Sequence, residues 1–146
     1  MRNLITPFSL LLFFTLTSCN LQTNKIHYGE DGCHYCSMTI VDQQHAAQLV
    51  TRKGKVYKFD AAECMINSLS DFDENKVAQF LVTDYQTPTE LIDATTATFI
   101  VSPEIPSPMR ANLSASKSKE SASAILASKQ GDLYSWKEIQ HYLKSQ

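Results

Sequence analysis

Six residues, Cys33-His34-Tyr35-Cys36-Ser37-Met38, constrain this chain more than any other stretch, because a fold built around them has to gather soft sulfur atoms in one place. Asp31-Gly32 puts a turn ahead of them. A thiolate and a thioether two residues apart share one face of an extended strand, so Cys36 and Met38 can present two sulfur donors to one ion. The residues that follow, Met38-Thr39-Ile40-Val41, are β-rich, and a strand is predicted there.

The compartment decides how the cysteines are counted. Arg2 precedes a largely apolar run over 4–16 that has the length of a signal-peptide core and is too short to span a bilayer. It ends in Leu16-Thr17-Ser18-Cys19, which resembles a bacterial lipobox, where cleavage before the cysteine accompanies acylation of its thiol. The expectation is a lipoprotein signal peptide over 1–18, a lipid on Cys19 and a polar tether over 19–32, in a protein of the cell envelope facing the periplasm. Asn20 after that cysteine, by resemblance to enterobacterial lipoproteins, favours the outer membrane. An ordinary signal peptide with a chance cysteine is the plainer alternative. After cleavage, Cys33, Cys36 and Cys64 form an odd set in an oxidising compartment, so a pure disulfide framework leaves one thiol over.

The remainder reads as a mixed domain, 33–146. A length of 146 residues with 43% hydrophobic and 19% charged residues is ordinary for one domain, or for two small units sharing a core. A net charge of -2 without a Lys/Arg cluster gives no electrostatic case for nucleic acid. Strands are predicted over 46–51 and 56–59 around a Lys53-Gly54 turn, followed by a helix over about 61–70 opened by an Asp60-to-Glu63 capping box. A further strand covers 77–83. The order then recurs: a strand over 97–101, a proline-rich loop, a strand over 109–115, and a helix over 117–129 stopped by Gly131. Ser135-Trp136-Lys137-Glu138 opens a last helix. Two hairpin-plus-helix units, about 33–84 and 95–146, form a faint internal repeat.

A CxxC pair serves as a redox couple, half a zinc site or a soft-metal chelate. A thioredoxin-type pair needs a helix after its first cysteine, and strand-forming residues follow here. Zinc wants four ligands, and no second CxxC or HxxxH is present, although Cys64 with His34 or His45 would supply donors. An inert Cys33–Cys36 disulfide is the blandest alternative. Copper(I) suits mixed thiolate and thioether ligands. Cys64 lies on an apolar helical face, so core packing is its plainer reading, with a third donor as the alternative. His34 is a further candidate ligand or simply a surface residue. No hydrolase, nucleotide or zincin motif is present, so the chain is read as a non-enzyme with no catalytic residues.

The segment CHYCSMTIVDQQHAAQLVTRKGKVYKFDAAECM resembles the NosL-type nitrous oxide reductase accessory lipoproteins, in its Cys-x-x-Cys-x-Met-x-Ile opening, its Ala-Ala-Gln segment and its Phe-Asp-x-x-x-Cys-Met close. Pro108-Met109 and the Trp136 region are similar too, so the resemblance covers about 33–143. It implies an α+β fold of two related ββαβ-type halves. It also implies copper(I) binding, and delivery to nitrous oxide reductase or another copper carrier. The ligands it implies are Cys36, Met38 and Met109, with Cys33 beside them. Arg110 stands where the distal motif commonly has glycine.

Overall fold

The first hairpin of the computed structural model, which describes residues 23–146, is built on a strand buried on both faces. β1 (Ala47–Thr51) pairs antiparallel with β2 (Val56–Phe59), Ala47 opposite Phe59, and Gly54 turns the chain at φ 80°. After α1 (Ala62–Asn67), β3 (Val77–Thr83) returns to the free edge of β1, and β4 (Leu91–Asp93) adds outside it. The sheet order is β2-β1-β3-β4. The second unit repeats the scheme. β5 (Thr98–Val101) pairs with β6 (Leu113–Ser116), α2 (Lys119–Leu126) follows, and β7 (Asp132–Tyr134) joins the other edge of β5, giving β6-β5-β7. In both units the first strand of a ββαβ run is central, which is the expected α+β arrangement of two related halves.

The halves share their apolar interior. Trp136, at the start of α3 (Trp136–Lys144), stacks on Phe80 of β3 at 5.5 Å and on Phe99 of β5 at 5.8 Å between ring centroids. Its N-terminus carries the predicted capping box, Ser135 and Glu138 each bonding the other's backbone. α1 is buried at Ala62, Glu63, Cys64, Met65 and Ile66, nearly all round, because it is wedged against β1, β6 and α3.

Several local expectations are corrected. The 38–41 strand is reduced to one bridge, Gly32 to Thr39, because Ser37 at φ 62° interrupts the extended backbone. Asp60 does not cap α1. Ala61 occupies that position without a side-chain bond, while Asp60 is turned inward and buried. The helix ends at Asn67, and a 3-10 turn at Leu69–Asp71 follows. Positive φ at Arg110 (64°) and Asn112 (56°) makes 109–112 a turn, so the strand predicted there starts at Leu113. Gly131 is no helix stop, since α2 ends at Leu126; a Cβ there would lie 2.5 Å from the Val101 carbonyl oxygen, so the glycine permits close passage beside β5.

The stretch expected as a tether is laid on the domain from Asn24 onward. The Asn24 carbonyl accepts from the buried Gln48 side chain, Lys58 Nζ donates to the Lys25 carbonyl at 2.8 Å, and Ile26 is buried in the core. The predicted signal peptide and Cys19 lie outside the described residues. Among the described residues, no helix is long and apolar enough to cross a membrane.

Candidate metal centre

The cysteine motif occupies a pinched loop. Its neck is the Gly32–Thr39 bridge, reinforced by Cys33 N–H donating to the Met38 carbonyl at 2.8 Å. Ser37 N–H donates to the Cys33 carbonyl at 3.0 Å and closes the turn over Tyr35 and Cys36. The loop is fastened to β2: His34 N–H donates to the Lys58 carbonyl at 2.9 Å, and Lys58 Nζ lies 2.6 Å from Asp31 Oδ2. These contacts turn the Cys33 side chain inward, where it is 4% exposed, and leave Cys36 half-buried at the rim.

Cys64 meets them from below. It projects from α1 and is fully buried, and the sulfur atoms of Cys33, Cys36 and Cys64 all lie within 4.8 Å of one another. All three are free thiols. Negative charge settles first on Cys33, whose thiol is pushed down to about 4. The largest cause is a hydrogen bond from the Cys64 thiol. The N–H groups of Cys36, Asp60 and Tyr35 reinforce it against the opposing cost of burial. The same hydrogen bond, donated to Cys33, pushes the Cys64 thiol strongly upward, with burial and the charge of Cys33 adding to it. Cys36 is raised by burial and by the neighbouring Cys33, although the Met38 N–H opposes this.

Two buried carboxyl groups flank the cluster. Asp60, 2% exposed, is raised chiefly by burial and next by the charge of Cys33, and its Oδ1 has no hydrogen-bond partner. Glu63 precedes Cys64 on α1 and is likewise raised by burial, opposed by a hydrogen bond from Ser107 Oγ. Ser107 belongs to the β5–β6 loop, which also carries Met109. The Met109 N–H faces the Glu63 carboxylate without closing a full hydrogen bond, and Glu63 Oε2 remains unpartnered.

The other sulfur and nitrogen candidates are placed differently. Met38 is 51% exposed beside the loop neck. Met109, 38% exposed, lines a groove with Asn67, Arg110 and Tyr142. The His34 ring packs on Tyr57 at 4.6 Å and Phe72 at 5.8 Å, outside the thiol cluster. His45 is engaged between Asp42 Oδ1 at 3.0 Å and Ser114 Oγ at 3.1 Å, a polar link between the halves. Periodicity hides the metal-site potential of Cys64, since a residue on an apolar helical face reads as packing. The odd cysteine count, which leaves one thiol outside any disulfide framework, is the signal that could have found it.

Three sulfurs around one ion at bond lengths of about 2.3 Å stand about 4 Å apart, so this spacing fits a trigonal thiolate site with little movement. Among the described residues no His, Asp or Glu joins the three, so a tetrahedral zinc site lacks its fourth donor from those types. The donors are soft and partly preformed as thiolate, which suits a monovalent soft cation.

A model of the NosL family matches residues 25–143 of the chain. The crystal structure of the copper chaperone NosL from Shewanella denitrificans is similar in fold, with a TM-score of 0.70 and 23% identity over 82% of this chain and 96% of that one. No curated protein matches.

Proposed function

The chain belongs to the NosL family, and from that premise we propose that it carries copper(I) on the thiolates of Cys33, Cys36 and Cys64, with Met109 as a thioether donor from the second half, and releases it to a copper-receiving protein. The observation that carries this reading is the convergence of three free thiols within 4.8 Å, two of them buried. The Cys33 thiolate attracts the ion, and the donor N–H groups hold its charge in place before metal arrives. Copper is cargo, so the site has to bind and also let go.

The proposed setting is the cell envelope, with a leader over 1–18 removed, lipid on Cys19 and the domain facing the periplasm, as the Leu-Thr-Ser-Cys segment supports. The receiving enzyme we propose is nitrous oxide reductase, which the motif resemblance supports.

Titration of reduced protein with copper(I) against a chromogenic chelator tests the proposal. One ion per chain is expected, with loss of binding once the thiols are oxidised, because a Cys33–Cys36 disulfide consumes two donors. A second reading, a thiol-disulfide protein, draws on the lowered Cys33 thiol. It predicts insulin reduction by the metal-free protein, and failure of copper(I) to bind would favour it.

A further inference from the structure

The turn at 109–112 is held in a backbone conformation that its residues do not favour. Arg110 lies at φ 64° and Asn112 at φ 56°, in the left-handed region that disfavours any side chain. Neighbours pin it there. Arg110 N–H donates to the Ser107 carbonyl at 2.9 Å and Ser102 N–H to the Asn112 carbonyl at 3.0 Å, while the Ser107 hydroxyl is engaged by Glu63 and by Leu113 N–H. The backbone under Arg110 is therefore fixed, and the residue itself is exposed.

Arg110 lines a groove of about 700 Å³, a volume in the range of ligand sites. The described residues include two arginines, and they differ in what they bind. Arg52 Nε donates to the Asn75 carbonyl at 2.7 Å, whereas the Arg110 guanidinium has no hydrogen-bond or ion-pair partner among the described residues. Asn67, Asn112 and Gln130 line the same groove, and their carboxamides also lack protein partners among those residues. A carboxamide offers a donor and an acceptor side by side, which matches the N–H and C=O groups along an extended peptide. A guanidinium matches a carboxylate. Asp132, beyond ion-pair distance of Arg110, lines the groove as well and repels a uniformly acidic occupant.

From this arrangement, and resting on the copper(I) delivery reading above, we infer that the groove is a docking site for an extended peptide segment of the copper-receiving protein. One acidic side chain of that segment lies on Arg110, and its backbone lies along the carboxamides. Met109 lines the same groove, so the docked segment is held against the turn through which the second half is proposed to reach the ion. The pinned turn presents the guanidinium in one place before the partner arrives, which lowers the ordering cost of binding. The contact is exposed, so it is weak by itself and screened by salt. It selects the partner and its register, and the metal is left to the sulfur donors.

The test uses the metal-free full-length protein and two blocked peptides, acetyl-Gly-Gly-Asp-Gly-Gly-amide and its Asn counterpart, followed by heteronuclear NMR at low salt. Millimolar binding is expected, with amide shifts at 109–112, Gly131 and Tyr142, and the Asp peptide should bind roughly fivefold tighter than the Asn peptide. Arg110→Gln and Arg110→Gly should bring the two peptides to equal affinity. Glycine suits φ 64° better than arginine does, so lost discrimination in that variant does not come from misfolding. Shifts confined to other surfaces, equal binding of both peptides by the parent, or discrimination that survives in both variants would each overturn the inference. Failure of the parent to bind copper(I) would overturn the proposed function, and with it the role given to the groove, in a titration that involves no peptide.

Discussion

The Ser107 hydroxyl donates a hydrogen bond to the buried carboxylate of Glu63, and this contact ties the loop that carries Met109 to the helix that carries Cys64. Ser107 Oγ also accepts from Leu113 N–H at 3.2 Å, so one hydroxyl fixes both the helix and the start of β6. Ser107→Ala leaves the carboxylate without its best partner. A loss of about 1–3 kcal/mol of stability is expected from that unmade bond. Chemical denaturation of the metal-free protein measures it, and an unchanged midpoint would remove the contact from the account.

Glu63 makes stability depend on pH. Its folded pKa is raised by burial above the ordinary 4.5, so its contribution is fully present below 4.5 and is lost as pH rises through the folded value. Glu63→Gln keeps an acceptor for Ser107 and cannot ionise. The variant should gain stability relative to the parent as pH climbs from 4 to 8, read by thermal melts of the metal-free proteins. Asp60 titrates in the same direction in both proteins and cancels in the difference. A constant gap across that range would contradict the prediction.

Met109 gives a contrast between donor and filler. At 38% exposure it fills little of the core, so Met109→Ala should change thermal stability only slightly. If the thioether is a donor, Met109→Leu and Met109→Ala both weaken copper(I) binding, because Leu keeps the volume and lacks the sulfur. Parent-like binding by both variants would remove Met109 from the site.

The architecture was legible where the pattern is local. The 46–51 and 56–59 alternation, the 77–83 run and the Ser135 capping box correspond to β1, β2, β3 and the start of α3. The three-residue strands β4 and β7 gave no periodic signal, because they are too short to repeat and are held by neighbours far along the chain. Asp60 misled for the opposite reason: its spacing from Glu63 matches a cap, yet the fold spends that carboxylate inside, beside Cys33. The union of Cys64 with the CxxC loop was beyond local reading, since it depends on α1 being wedged between the halves. Ile26 was similarly hidden, flanked by Lys25 and His27 in a mostly polar stretch.

Anchoring is tested by Cys19→Ser. Single-chain membrane binding is marginal and stable anchoring needs more than one lipid signal, so removal of the acylated thiol should move the protein to the soluble fraction. Retention of the variant in washed membranes would contradict lipidation as the anchor.

The central claim is that three thiolates share one copper(I). X-ray absorption at the copper edge, on loaded parent and on Cys64→Ser and Cys64→Ala proteins with matching circular dichroism, tests it most directly. The account predicts a sulfur-dominated shell at about 2.3 Å in the parent that loses a scatterer, together with affinity, in both variants. An identical shell and affinity in all three proteins would return Cys64 to the core and contradict the three-thiolate site.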